Sequence, residues 1–273
     1  MAPAGQAVAA SAGPVGLHTR HAYLLDAGPA GTARRRLWGI GAATPLPMAS
    51  TTKIMTAVVV LETPRLDLNR RLTVRQAYLA YASRVGASTA GLRAGDRLTV
   101  RQLLYGLLLP SGSDAAYALA DGLGKGSDRA ARVGSFIGRM NAEARRLGMT
   151  GTHYDSFDGI SRGGNRSTAA DLARLGETAL RLPEFARIVA TRRSTQRGAY
   201  GHRYTWTNTD RLLTAFPGAL GVKTGNGPAD GYCLVFAARR HGRTLVGALL
   251  ADDSRHWFRD AAAILAWGFR QPR

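Results

Sequence analysis

The chain has 273 residues, 45% hydrophobic and 20% charged, a balance that excludes wholesale disorder and suits one large domain or two small ones. No stretch approaches the roughly 18 uninterrupted apolar residues of a spanning helix, and a single cysteine, Cys233, excludes a disulfide framework or a cysteine-built zinc site. Against 18 acidic residues stand 37 basic ones, a net charge of +19, yet lysine occurs only as Lys53, Lys125 and Lys223.

Residues 1–16 are Ala, Gly, Pro and Ser with little pattern and read as a disordered tail or signal remnant, ahead of a domain over 17–273. A secretory signal opens with positive charge and an apolar run of about 7–15 residues. Neither is visible, although Ala10-Ser11-Ala12 has the composition of a cleavage region. Two strand-like runs follow, His21–Asp26 and Arg36–Gly41, joined as a hairpin by Gly28, Pro29 and Gly31. Thr51–Glu62 then reads as a helix apolar nearly all round, the signature of a helix buried at the centre of its domain, ended by Thr63-Pro64.

From about 74 to 190 the period is helical. Helices are expected over Val100–Leu109, stopped by Pro110; Ala115–Leu123, with Asp114 as N-cap; Arg132–Leu147, ended by Gly148; and Ala169–Arg181, before Pro183. Strand patterns return at Leu220–Lys223, Tyr232–Arg239 and Thr244–Leu250, the last two joined by a turn at His241-Gly242. A final helix spans about 255–269. The expectation is an α+β fold. An antiparallel sheet subdomain (about 17–73 and 200–273) is flanked by helices, with a helical lobe (about 74–199) inserted.

Arginine replaces lysine almost everywhere, so the surviving lysines mark places where a permanently charged, planar group does not serve. Lys125 lies in a Gly-Lys-Gly loop. Lys53 belongs to Ser50-Thr51-Thr52-Lys53, whose spacing of three places both side chains on one helical face. Free N–H groups at such a helix start can stabilise an oxyanion, and burial lowers a lysine's pKa, giving a nucleophile with its base. A capped helix with a partly buried lysine explains the same four residues. Ser111-Gly112-Ser113-Asp114 offers two hydroxyls for proton relay and substrate binding, or simply a turn with a cap. Lys223-Thr224-Gly225, at the end of a strand, offers a cation and a hydroxyl for a carboxylate, with Gly allowing close approach.

Taken together and in this order, the three constellations match the S-x-x-K, S-D-N and K-T-G set of penicillin-binding proteins and class A β-lactamases. The surrounding segments narrow the match. Residues 44–57, Leu103–Ala116 and Gly231–Val235 closely resemble low-molecular-mass D-alanyl-D-alanine carboxypeptidases, and weaker echoes extend the likeness from about residue 20 to 269.

The resemblance implies an antiparallel sheet, a helical lobe and a site between them. Ser50 would be acylated by the penultimate D-Ala carbonyl of a peptidoglycan stem peptide, with Lys53 as base. Ser111 would pass the proton to the departing D-alanine, while Ser113 binds substrate. Lys223, Thr224 and Gly225 would receive the terminal carboxylate, and the N–H groups of Ser50 and Asn226 the oxyanion. No cofactor or metal enters this chemistry, and β-lactam antibiotics are the expected inhibitors.

Two departures bear on rate and substrate. Ser113 stands where the family usually has Asn, and the family's carboxylate-assisting Arg has only Arg211 as a candidate in the segment Thr207–Leu213. The alternatives are a β-lactamase, for which no Glu-x-x-x-Asn segment follows the second motif, a DD-endopeptidase of the same fold, or a catalytically weak peptidoglycan-binding relative. Ser-His-Asp hydrolysis is disfavoured because no histidine has a G-x-S-x-G context.

The basic surface suits anionic cell-envelope polymers rather than a specific nucleic acid, since the arginines show neither clustering nor a recognition motif. The substrate implies an extracytoplasmic site. The β domain and membrane anchor of many relatives are not seen before Arg273, so the expectation is a monomer that is released or held by charge. Cys233, in an apolar strand, reads as an inert core thiol.

Overall fold

The structure, a computed structural model, describes residues 13–28, 34–161 and 163–272. The tail expected over 1–16 lies outside the described residues as far as residue 12, as do Pro29 and Gly31 of the first hairpin turn.

A five-stranded antiparallel sheet forms the frame. Its strands are β1 (His21–Asp26), β2 (Arg35–Ile40), β7 (Ala219–Gly227), β8 (Gly231–Arg240) and β9 (Arg243–Asp252), in the order β2-β1-β9-β8-β7. Strands from both ends of the chain therefore lie side by side, with β1 next to β9. Side chains alternate across a sheet, and both faces are apolar here. Leu234, Phe236 and Ala238 of β8 face one layer, and Cys233, Val235 and Ala237 the other. The first layer is covered by α9 (Trp257–Arg270), through Ala261, Ile264 and Leu265. The second is covered by α6 (Ala169–Leu180), which packs against β9 and β1. His241 and Gly242 form the two-residue β8–β9 turn with φ of 49° and 74°, the pair of positive values that matches strand twist in a tight hairpin.

Around the second layer gather α1 (Lys53–Leu61), α2 (Gln76–Arg84), α3 (Val100–Leu108), α4 (Ser113–Leu123), α5 (Arg129–Arg146) and α7 (Pro183–Val189). Every residue of α1 from Lys53 to Val60 is buried, as the absence of a polar face predicts, and α1 touches α3, α4, α5, α6 and α7. Two ribbons complete the fold: β3 (Arg71–Thr73) with β4 (Arg97–Thr99), and β5 (Arg193–Arg197) with β6 (Arg203–Thr207). A short α8 (Leu212–Ala215) leads into β7.

Three local expectations change. The chain enters α1 through a 3-10 turn, Ala49–Thr52, so Ser50 precedes the α-helix. Helix α4 begins at Ser113 with Gly112 as N-cap, because the Asp114 carboxylate is engaged elsewhere. It accepts Thr89 Oγ1 at 2.6 Å and the Ala90 and Leu92 N–H groups at 2.8 and 3.1 Å. Lys223-Thr224-Gly225 lies inside β7, which continues to Gly227 because Thr224, Gly225 and Asn226 pair with Leu234, Cys233 and Tyr232 of β8.

Candidate active site

The first motif is assembled by the 3-10 turn. In that geometry residues three apart eclipse one another, and Lys53 Nζ lies 2.8 Å from Ser50 Oγ. Lys53 is buried, whereas Ser50 keeps partial exposure. A second bond, 2.7 Å from Lys53 Nζ to the Asp158 carbonyl, fixes the amine. Burial lowers the Lys53 pKa to about 8, only partly offset by the carboxylates of Asp158 and Asp114. Near neutrality a fraction of Lys53 is therefore a free amine beside a hydroxyl.

Asp158 is a contributor that the sequence reading missed. It belongs to the loop 154–166, which is pinned to α1. Thr56 Oγ1 donates to the Phe157 carbonyl at 2.5 Å, and Asn165 Nδ2 donates to Thr52 Oγ1 at 3.2 Å. The Asp158 carboxylate accepts the Tyr81 hydroxyl at 3.1 Å and the Ile160 N–H at 3.1 Å, so it has no hydrogen bond to Ser50. Gly159, with φ of 99°, lets the loop pass under the nucleophile, since a Cβ there would collide with the Ala49 carbonyl. Asp158-Gly159, a turn dipeptide, is the one local signal the sequence carries for this loop.

The second motif supplies two buried hydroxyls. Neither Ser111 Oγ nor Ser113 Oγ has a hydrogen-bond partner among the described residues, which is uncommon for buried polar atoms. Ser111 has φ of 65°, a left-handed conformation that costs energy in a non-glycine residue and recurs at functional sites. Asp114 and the Ser113 N–H, which donates 2.8 Å to the Ser88 carbonyl, hold this turn against residues 88–92.

The third motif runs along edge strand β7. Lys223 is fully buried, and its Nζ donates to the Thr224 carbonyl at 2.8 Å. Its pKa falls well below the ordinary lysine value, through burial first and then through Lys53, while Asp210 opposes the shift. Both amines are buried, and the charge of Lys53 disfavours that of Lys223. Thr224 Oγ1 lies 2.6 Å from Thr209 Oγ1. Gly225 passes the nucleophile so closely that a Cβ would sit 2.9 Å from both the Ser50 and Thr51 nitrogens. Asn226, next along the strand, is exposed.

Motifs one and three therefore meet directly, while motif two acts on Lys53 through the charge of Asp114. Arg211 points elsewhere: its guanidinium lies 4.5 Å from the centre of the Phe258 ring. Cys233 is a buried free thiol, pushed up to about 12 by burial, which makes it unreactive.

Comparison with known proteins fits this arrangement. The family described as peptidase S11, D-alanyl-D-alanine carboxypeptidase, matches residues 34–254. The chain belongs to this family. Among D-alanyl-D-alanine carboxypeptidases, that of Streptomyces sp. (strain K15) is 50% identical over 226 residues, 81% of this chain and 78% of the relative. DacB2 of Mycobacterium tuberculosis is 37% identical over 229 residues, 82% of this chain and 74% of the relative. The crystal structure of the Streptomyces K15 DD-transpeptidase superposes with a TM-score of 0.90 at 46% identity, covering 95% of this chain and all of that one. An evolved penicillin-binding protein homologue from Mycobacterium tuberculosis superposes with a TM-score of 0.81 at 33% identity, covering 96% and 98%. The family match thus runs from β2 to β9, and the structural likeness extends over 95% of the chain. No described helix is long and apolar enough to cross a membrane.

Proposed function

We propose that this chain is a serine-type D-Ala-D-Ala carboxypeptidase that removes the terminal D-alanine of peptidoglycan stem peptides through an acyl-enzyme on Ser50. The 2.8 Å contact between a partly exposed serine and a fully buried lysine carries the reading. With Lys53 charged, Nζ donates to Oγ; once Lys53 is neutral the bond reverses, and Oγ–H donates to the amine. Ser50 Oγ then attacks the penultimate D-Ala carbonyl as its proton passes to Lys53. The N–H groups of Ser50 and Asn226 receive the developing oxyanion. Ser111 relays the proton to the leaving nitrogen, and free D-alanine departs. Water attacks the ester, with Lys53 again as base, releasing the shortened peptide and restoring the Ser50 hydroxyl.

Lys223, Thr224 and Gly225 take the terminal carboxylate. An arriving carboxylate adds to the counter-charge of Asp210 and favours protonation of the buried Lys223. Ser113 binds a substrate amide, with a shorter reach than an asparagine. The β-lactam ring enters as an amide of the same shape and forms a slow ester on Ser50.

The reaction takes place where β7 passes the 3-10 turn ahead of α1, outside the cytoplasmic membrane where the substrate lies. A second reading, transfer of the acyl group to an amine, is favoured by the DD-transpeptidase at 46% identity. It needs only that an acceptor amine replace water.

Intact mass after incubation with benzylpenicillin tests the nucleophile. An adduct that maps to Ser50 and vanishes in Ser50→Ala is expected, with D-alanine release from a D-Ala-D-Ala peptide. An adduct elsewhere overturns the assignment. Adding an amine acceptor then separates hydrolysis from transfer by the mass of the peptide product.

A further inference from the structure

Away from this site, where β9 ends and α9 begins, two histidines and three aspartates converge. His18 and His256 stack with ring centroids 4.6 Å apart and planes at 19°. One Asp253 oxygen, Oδ2, lies 3.3 Å from His18 Nε2 and 2.7 Å from His256 Nδ1. His18 Nδ1 is in turn 3.2 Å from Oδ1 of Asp252. The Asp252 side chain is fully buried, and its Oδ2 has no hydrogen-bond partner among the described residues.

We propose that His18, Asp253 and His256 bind a divalent cation of the zinc class, with the buried Asp252 orienting His18. The Asp252 carboxylate accepts from His18 Nδ1–H and so fixes the tautomer, which turns the Nε2 lone pair toward Asp253. Metal-bound histidines commonly hold a carboxylate at the second ring nitrogen in this way. A single cation seated among the three donors would satisfy the Asp253 oxygen and both ring nitrogens at once. Arg259 does not compete, because its Nε lies 3.5 Å from Asp260 Oδ1.

The spacing suits a small ion. Donors about 2.1 Å from a tetrahedral zinc lie roughly 3.4 Å from each other. The His18–Asp253 pair already has that separation, and all three donor atoms fall within 4.8 Å of one another. The 2.7 Å His256–Asp253 contact opens by rotation of half-buried side chains. Imidazole with carboxylate selects zinc, nickel or copper over magnesium and calcium. The bound ion would staple the segment ahead of β1, where the His18 and Thr19 N–H groups donate to Asp260 Oδ2 at 2.6 and 2.8 Å, to the β9–α9 turn.

The test is zinc titration of the untagged full chain by calorimetry and thermal melting, with magnesium and calcium as controls. One zinc per chain is expected, raising the melting midpoint where magnesium and calcium do not. His18→Gln and His256→Gln should each weaken binding by at least about tenfold, and Asp252→Asn by about 10–100-fold, the usual effect of losing an orienting carboxylate. All three should still acylate with benzylpenicillin, which reports an intact fold. In the unaltered chain, zinc should shift the ring-proton NMR signals of two of the six histidines. No stoichiometric uptake, uptake retained in the His18→Gln/His256→Gln double variant, or shifts at other histidines would each overturn the proposal.

Discussion

In the proposed mechanism Lys53 sets the pH at which the site works. Burial penalises its ammonium form, so its pKa falls from 10.5 to about 8, and the amine needed to deprotonate Ser50 grows in as pH rises. Acylation by benzylpenicillin should therefore increase through about pH 8 and level off above it. The linkage has a definite sign: between about pH 8 and 10.5 the unfolded chain holds the proton that the folded chain has lost, so rising pH stabilises the fold across that window. Lys53→Arg keeps the charge permanently and removes the base; acylation should drop by about 10²–10⁴-fold, the scale of general-base catalysis. Stopped-flow acylation across pH checks both. A wild-type-like rate in Lys53→Arg, or a flat profile from pH 6 to 10, would remove Lys53 from the base role.

At the scale of elements, the site depends on how closely β7 passes the 3-10 turn. Gly225 permits that approach, with Ser50 and Thr51 nitrogens 2.9 Å from where its Cβ would be. Gly225→Ala should push the strand off the turn and misplace the Asn226 N–H relative to Ser50. The expected loss in acylation is about 10²–10³-fold, the effect of removing one oxyanion donor, with little change in far-UV circular dichroism. Unchanged acylation would show that the strand does not supply the donor.

Much of this was legible beforehand. A helix apolar nearly all round could only be buried, and Lys53 within it could only be a buried lysine. The strand runs at both chain ends predicted one sheet built from both, because alternating apolar runs have to pair. Other features were hidden for physical reasons. β3 and β4 are three residues each, too short to show a period. Asp114 has the sequence of an N-cap but spends its carboxylate on residues 89–92, a long-range contact that local pattern does not encode. Asp158 bonds Lys53 through its backbone carbonyl, which any residue type has, and its carboxylate acts on Lys53 only once the loop folds back against α1. The Lys223–Lys53 proximity likewise emerges only once β7 is laid beside the turn.

The whole molecule is basic by distribution rather than by patch. Many arginines are tied to acids, as Arg34 is to Glu177, Arg132 to Asp121 and Arg243 to Asp26. With 37 bases against 18 acids, however, a large surplus must face solvent or an anionic partner. Even the run Arg34–Arg36 is dispersed: Arg35 lies 3.9 Å from Asp26, and the Arg36 guanidinium lies 5.8 Å from the centre of the Tyr23 ring. Spread charge attracts an extended polyanion weakly at many points, and salt screens it, since the Debye length falls from about 10 Å at 0.1 M to about 3 Å at 1 M. Retention on cell-wall preparations bearing anionic polymers should accordingly fall steeply over that range. Acylation of Ser50 by benzylpenicillin should change little, because the groups that govern it are buried and poorly screened. Co-sedimentation and acylation measured on the same salt series separate the two effects. Retention that persists at 1 M salt would mean that the wall is recognised through a specific site, and acylation that falls in parallel would mean that surface charge steers the small ligand as well.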